Sequence, residues 1–312
     1  MAKFNYIISC LLSCCLFSSA GYSQINKREE VLIGGIRQWI EVKGSREDNP
    51  VLLFLHGGPG NSVMRTADKF TGELQKKFVV VQWDQRESGK TASLNHSDSE
   101  LTVALMVDDA VEMINYLRAR FKQDKIFVMG HSWGGFLTLE VATGHPEIVK
   151  ACIAVCPMID QWESERRSLE WMKRHAQEIH QQEALDKLTT IKIPFENPEQ
   201  LYYHRRWLAI YSGRTPPSRS FVMAWGKVWF PLYSEAAGIN LFLTSPEIKC
   251  PVYFFVGSND RQTDSKITEE YFKVLKAEKK ELFWFTNSGH NLNLTEPKKM
   301  QEMTIAVFTS KN

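Results

Sequence analysis

The segment Gly130-His131-Ser132-Trp133-Gly134 sets a serine between two glycines. It follows the apolar run Lys125-Ile126-Phe127-Val128-Met129, which reads as a buried strand, and opens onto Gly135-Phe136-Leu137-Thr138-Leu139-Glu140-Val141-Ala142, which reads as a helix. A strand that turns at once into a helix holds its central residue in a strained backbone conformation. Side chains two positions to either side would clash, so glycine is needed there. The hydroxyl is thereby lifted clear of the sheet, where a substrate carbonyl can reach it. Ser132 is the candidate nucleophile.

A free hydroxyl is a weak nucleophile at neutral pH. A base must take its proton, and a third group must orient that base. Downstream, the apolar run Val252-Tyr253-Phe254-Phe255-Val256 ends in Gly257-Ser258-Asn259-Asp260. A second run, Glu281-Leu282-Phe283-Trp284-Phe285, ends in Asn287-Ser288-Gly289-His290. Asp260 and His290 thus lie just past strand ends, the side on which open α/β sheets bind ligands. Asp264 is the rival acid, but Asp260 is nearer its strand. His131 is read as scaffold, because adjacent residues on a sharp turn point apart.

Acyl transfer also needs donors for a developing oxyanion. After the apolar strand Val51-Leu52-Leu53-Phe54-Leu55 comes His56-Gly57-Gly58-Pro59-Gly60, whose glycines let the backbone approach a substrate. The N–H groups of Gly58 and Trp133 are the candidate oxyanion donors.

These residues need a frame. Two short strands over Val31–Val42 meet near Gly34-Gly35. A helix is expected near Thr66–Lys77, a strand over Phe78–Trp83, and a long helix carrying Leu101, Leu105, Val111, Ile114, Leu117 and Phe121. His145-Pro146 stops the helix after Ser132, and a strand follows over Val149–Cys156. Strands alternating with helices predict an α/β fold with a mostly parallel sheet of about eight strands, covered on both faces. The alternation breaks at Pro157 and resumes at Cys250. Between them lie Pro194, Pro198, Pro216 and Pro217 and the tryptophans Trp162, Trp171, Trp207, Trp225 and Trp229. This segment is expected to form a helical cap over the cleft. Most of its aromatics serve packing, with one or two facing substrate. The chain divides into a leader (1–23), a first core part (24–156), a cap (157–247) and a second core part (248–312).

Three motifs, His56-Gly57-Gly58-Pro59-Gly60, Trp83-Asp84-Gln85-Arg86-Glu87-Ser88-Gly89-Lys90-Thr91 and Gly130-His131-Ser132-Trp133-Gly134-Gly135, together resemble the proline iminopeptidase family of α/β hydrolases. The likeness runs from about Val31 to the C-terminus and leaves out the middle. It implies the α/β-hydrolase fold, with Ser132 as nucleophile, the late acid and base at Asp260 and His290, and the first motif in the oxyanion hole. Two departures stand out. Glu87 occupies a position where that family usually has glycine, which reads as a subfamily loop. The middle of the chain also lacks the Trp-Glu signature whose acidic residues hold a substrate's free amino terminus in that family. Glu163, Glu165, Glu170 and Glu235 are available there, with surface charge as the default reading of each.

Lys3, the apolar stretch from about Ile7 to Phe17 and the small residues Ser18, Ser19, Ala20 and Gly21 have the form of a secretory signal. Ala20 and Ser23 both suit its last residue. The rival is a lipoprotein signal with Cys14 lipidated, ranked second because its apolar stretch would be very short. An exported protein is expected, with no later membrane-crossing segment. Of six cysteines, Cys10, Cys14 and Cys15 belong to the leader. Cys152 and Cys156 sit too far apart on one strand to bridge, at about 3.3 Å per residue. A bridge to Cys250 is conceivable, but buried free thiols are preferred. No metal-ligand spacing appears, and no cofactor is implied. The net charge of +2 gives no reason to expect nucleic acid or anionic membrane as a partner.

These features describe an exported serine hydrolase, with aminopeptidase action on short peptides ranked first. An esterase or lactonase acting on small esters uses the same residues. A non-catalytic small-ligand-binding protein on this fold is the alternative from another class. Epoxide hydrolases and dehalogenases are disfavoured, because they carry aspartate where this chain has Ser132.

Overall fold

The computed structural model of the chain describes residues 24–95 and 100–310. The leader read over 1–23, Cys14 included, lies outside the described residues. The strands are β1 Ile25–Ile33, β2 Ile36–Gly44, β3 Val51–Leu55, β4 Val79–Asp84, β5 Ile126–His131, β6 Val149–Val155, β7 Glu247–Ile248, β8 Val252–Gly257, β9 Lys276–Ala277 and β10 Lys280–Phe285. Eight of them form one sheet in the order β1-β2-β4-β3-β5-β6-β8-β10, and β7 and β9 form a separate short pair. From β4 to β10 every neighbouring pair in the large sheet is parallel. β1 and β2 add an antiparallel edge.

All residues of β3 and β4 are buried, as expected for strands covered on both faces. Their side chains alternate between two cores. On β5, Ile126 and Val128 belong to the core that includes Met106, Ile114 and Leu117 of α3 (Val103–Phe121) and Phe136 and Leu139 of α4 (Trp133–Gly144). Phe127 and Met129 face the opposite core, with Phe70 of α1 (Asp68–Thr71) and Phe308 of α12 (Pro297–Thr309). The Phe127 and Phe308 rings stack there, 4.2 Å between centroids.

The helix expected near Thr66–Lys77 is instead two short pieces, α1 and a 3-10 turn at Leu74–Lys76. Gly72 lies between them, and glycine is a poor helix former. A further short helix, α2, spans Gly89–Leu94. Between β6 and β8 the chain forms α5 Gln161–Glu178, α6 Gln182–Leu188, α7 Pro198–Tyr211, α8 Arg219–Ala237 and α9 Leu241–Thr244. After β8 come α10 Ser265–Val274 and, beyond β10, α11 Leu292–Thr295. Among the described residues no helix is long and apolar enough to cross a membrane. Cys152, Cys156 and Cys250 are free and buried.

Candidate active site

Ser132 is the hinge between β5 and α4. Its backbone lies at φ 58° and ψ −116°, a strained conformation that costs about 1–3 kcal/mol and persists only where its surroundings impose it. They do so here. Its N–H donates to the Val155 carbonyl at 2.9 Å, and its own carbonyl accepts from the Phe136 N–H at 3.0 Å. A Cβ on Gly130 would lie 2.0 Å from the Gly134 carbonyl oxygen, and one on Gly134 would lie 2.1 Å from that of Leu55. No side chain fits at either position.

His290 Nε2 lies 3.1 Å from Ser132 Oγ, and His290 Nδ1 lies 2.9 Å from Asp260 Oδ2. The carboxylate can only accept, so Nδ1 carries the proton and Nε2 is free to accept from the serine hydroxyl. Asp260 is fixed in turn. Its Oδ1 accepts from the N–H groups of Gln262 at 2.8 Å and Thr263 at 3.2 Å. The Thr263 hydroxyl lies 2.8 Å from Oδ2. Burial pushes the Asp260 carboxyl up, but His290 and the Thr263 bonds outweigh it and hold the group at about 2. It is therefore ionised at neutral pH. The rival acid does other work: Asp264 Oδ1 caps α10, accepting from the Lys266 N–H at 2.9 Å and the Ile267 N–H at 3.3 Å.

His131 supports this arrangement from the side. Its Nε2 lies 2.7 Å from the His290 carbonyl oxygen, so it donates there and steadies the histidine loop. Burial and the neighbouring His290 lower it to about 4, leaving it neutral at pH 7. Cys156 brings a sulfur within 4.8 Å of the ligand atoms of Asp260 and His290. Burial and the Asp260 charge push that thiol up, so it stays protonated and is a poor metal ligand.

Gly58 and Ser132 line one cavity of about 290 Å³. Among the described residues, neither the Gly58 N–H nor the Trp133 N–H donates a hydrogen bond. The second sequence motif braces this region. Gln85 Oε1 accepts from the Trp133 indole N–H at 2.9 Å, while its Nε2 donates to the His56 carbonyl at 3.2 Å. One buried amide thus ties the loop after β3 to the serine turn. Arg86 is a buried bidentate partner of Asp109. Glu87 sits at φ 55°, a left-handed backbone that glycine adopts without strain, which accounts for glycine at the family's corresponding position.

Helices α5, α7 and α8 supply the other cavity walls, including Gln161, Arg205, Trp225 and Tyr233. The Trp225 indole N–H donates to the Pro59 carbonyl at 2.8 Å, binding α8 to the loop after β3. The acidic residues read as surface charge divide. Glu163 and Glu170 pair with Arg166 on the helix surface, and Glu235 accepts from the Val103 N–H at 3.0 Å. Glu165 corrects the expectation, since it is 0% exposed. It forms a buried ion pair with Arg205 and accepts from the Tyr233 hydroxyl at 2.6 Å and Gln161 Nε2 at 2.5 Å. Burial raises its carboxyl, yet Arg205 and His204 overcome this and hold it at about 2. Gln161 Nε2 also donates to the Gln262 carbonyl at 2.8 Å, which fixes the amide orientation. Its Oε1 is left buried without a hydrogen-bond partner.

The same cluster predicts acid sensitivity. His204 Nδ1 accepts from Arg205 at 2.9 Å, so that nitrogen cannot take a proton. Burial, aided by the Arg205 charge, lowers the ring from 6.5 to about 4. Both His204 and Glu165 bind fewer protons folded than unfolded. Their contributions are fully present above the unfolded values. His204's is lost as pH falls from about 6.5 towards 4, and Glu165's between about 4.5 and 2. Unfolding free energy is expected to change little between about pH 7.5 and 8 and to drop by on the order of a few kcal/mol by pH 4. Denaturant titrations at pH 8, 6 and 4.5 measure this, and a midpoint unchanged to pH 4.5 would contradict it.

Residues 50–297 match the family model described as the alpha/beta hydrolase fold. The chain belongs to the α/β-hydrolase family. It is 28% identical over 298 residues to the probable aminopeptidase YbaC of Bacillus subtilis (strain 168), covering 86% of this chain and 92% of that one. It is 25% identical over 264 residues to the proline iminopeptidase of Heyndrickxia coagulans, covering 80% and 87% respectively. Among solved structures, the proline iminopeptidase of Mycobacterium smegmatis superposes with a TM-score of 0.64 at 18% identity, covering 90% of this chain and 97% of that one. The protein is a hydrolase of this fold, and the relatives it is similar to include proline iminopeptidases.

Proposed function

We propose that the chain is an exported serine hydrolase acting as an aminopeptidase on short peptides. The observation that carries this is the unbroken relay from Ser132 Oγ through His290 to an ionised Asp260 beside a small cavity. In the proposed cycle Ser132 Oγ attacks the carbonyl carbon while His290 Nε2 takes its proton. The free N–H groups of Gly58 and Trp133 receive the developing oxyanion. The C–N bond then breaks, with His290 returning the proton to the leaving amine. Water repeats the sequence on the acyl-serine. The leader pattern over 1–23 supports export.

Recognition of an amino terminus needs acceptors for an ammonium group, because an unpartnered buried charge is costly. Gln161 lines the serine cavity and its amide is held by the ionised Glu165, which makes this pair the candidate for the ammonium contact. Since Arg205 already neutralises Glu165, the contact is expected to be worth a hydrogen bond rather than a full ion pair. N-acetylation of an aminoacyl-arylamide is therefore expected to lower kcat/KM by roughly tenfold to hundredfold, the scale of a charge-assisted hydrogen bond. Steady-state kinetics on the free and acetylated pair, with an aryl ester alongside, test the assignment. Equal rates on the pair with faster ester cleavage would make the protein an esterase.

A further inference from the structure

Arg214 lies just beyond the C-terminus of α7, and its side chain borders two cavities. One is the cavity of about 290 Å³ that holds Ser132. The other, about 700 Å³, is bounded by His290, Asn291 and Arg261. Arg205, the other cation of the smaller cavity, is neutralised by Glu165. Among the described residues no carboxylate forms an ion pair with Arg214. Arg261 likewise lacks one and stacks on Trp171, its guanidinium carbon 4.2 Å from the ring centroid. The smaller cavity has no acidic side chain in its lining. The larger has only Asp260, already engaged by His290 and Thr263. Burial lowers the Arg214 guanidinium from its ordinary value and outweighs the opposing pull of the Asp260 charge, as expected of a partly desolvated cation with no carboxylate in contact. A planar guanidinium in this state is suited to a carboxylate brought by the substrate.

The position of His290 indicates which part of the substrate carries that carboxylate. In the proposed cycle its Nε2 hands a proton to the departing amine, so the leaving group lies on the histidine side. Arg214 stands at the boundary between the serine cavity and the histidine cavity. In a dipeptide, the carbon bonded to the leaving nitrogen also bears the terminal carboxylate. We propose that Arg214 is a specificity-determining residue that binds the C-terminal carboxylate of the leaving group, making dipeptides with free C-termini the preferred substrates. This rests on the serine hydrolase reading above and adds the substrate class to it.

The test compares a dipeptide such as prolyl-glycine with its C-terminal amide. The native protein is expected to favour the free carboxylate by roughly tenfold to hundredfold in kcat/KM. Arg214→Gln should bring that ratio close to one, and Arg214→Lys should retain part of it. A ratio near one in the native protein, or one unchanged in Arg214→Gln, would overturn the proposal. Binding of the same two peptides to the Ser132→Ala protein, measured by calorimetry, needs no turnover. Tighter binding of the free acid supports the carboxylate site even if peptide hydrolysis fails, and equal affinities contradict it. Failure of the aminopeptidase reading shows separately, as ester hydrolysis without amide hydrolysis.

Discussion

Replacing Ser132 with alanine is expected to lower turnover by roughly 10⁶-fold, the scale found when the nucleophile of a serine relay is removed. The loss should appear in kcat more than in KM. The cavity and the two free N–H groups remain, and only the attacking oxygen is gone. Stability should change little, because the Ser132 hydroxyl makes one hydrogen bond, to His290 Nε2 at 3.1 Å. The strained backbone at φ 58° stays strained with alanine there. Turnover and thermal unfolding of the variant check both parts. Turnover near the native value would remove Ser132 from the chemistry.

The second large effect is expected at Asp260. Asp260→Asn retains the shape but replaces an acceptor with an amide that can present a donor to His290 Nδ1. The imidazole tautomer is then reversed, and Nε2 no longer accepts from Ser132. Such a change costs about 10⁴ in kcat. Asp264→Asn should be mild, since an asparagine oxygen can still accept from the Lys266 and Ile267 N–H groups at the start of α10. Steady-state kinetics on the two variants separate the acids. A large loss at Asp264 with a small one at Asp260 would transfer the orienting role.

What the sequence reveals of this site follows strand ends and glycines. Ser132, Asp260 and His290 each follow an apolar run that reads as a strand. A parallel sheet brings the carboxyl ends of its strands to one side, so residues far apart in the chain converge. Distance from the strand end favours Asp260 over Asp264. The fold adds the reason: Asp264 begins α10 and serves as its cap. Local patterns fail where a partner is remote. Glu165 looks like a surface charge on a polar helix until Arg205, Tyr233 and His204 close around it from α7 and α8. Gln85 is equally inconspicuous in the chain, because its two partners, His56 after β3 and Trp133 at the start of α4, are remote in sequence. The helix expected near Thr66–Lys77 failed for a local reason, since Gly72 interrupts an apolar pattern that otherwise fits.

The proposal that Ser132 is an activated nucleophile can be tested without knowing the substrate. A fluorophosphonate probe reacts with serines whose hydroxyl is activated by a base beside oxyanion donors. After labelling the native protein and digesting it, mass spectrometry of the peptides locates the adduct. The expected result is stoichiometric labelling of the peptide containing Ser132, lost in His290→Ala. Absence of the adduct, or its appearance on a different residue, would contradict the assignment of this site.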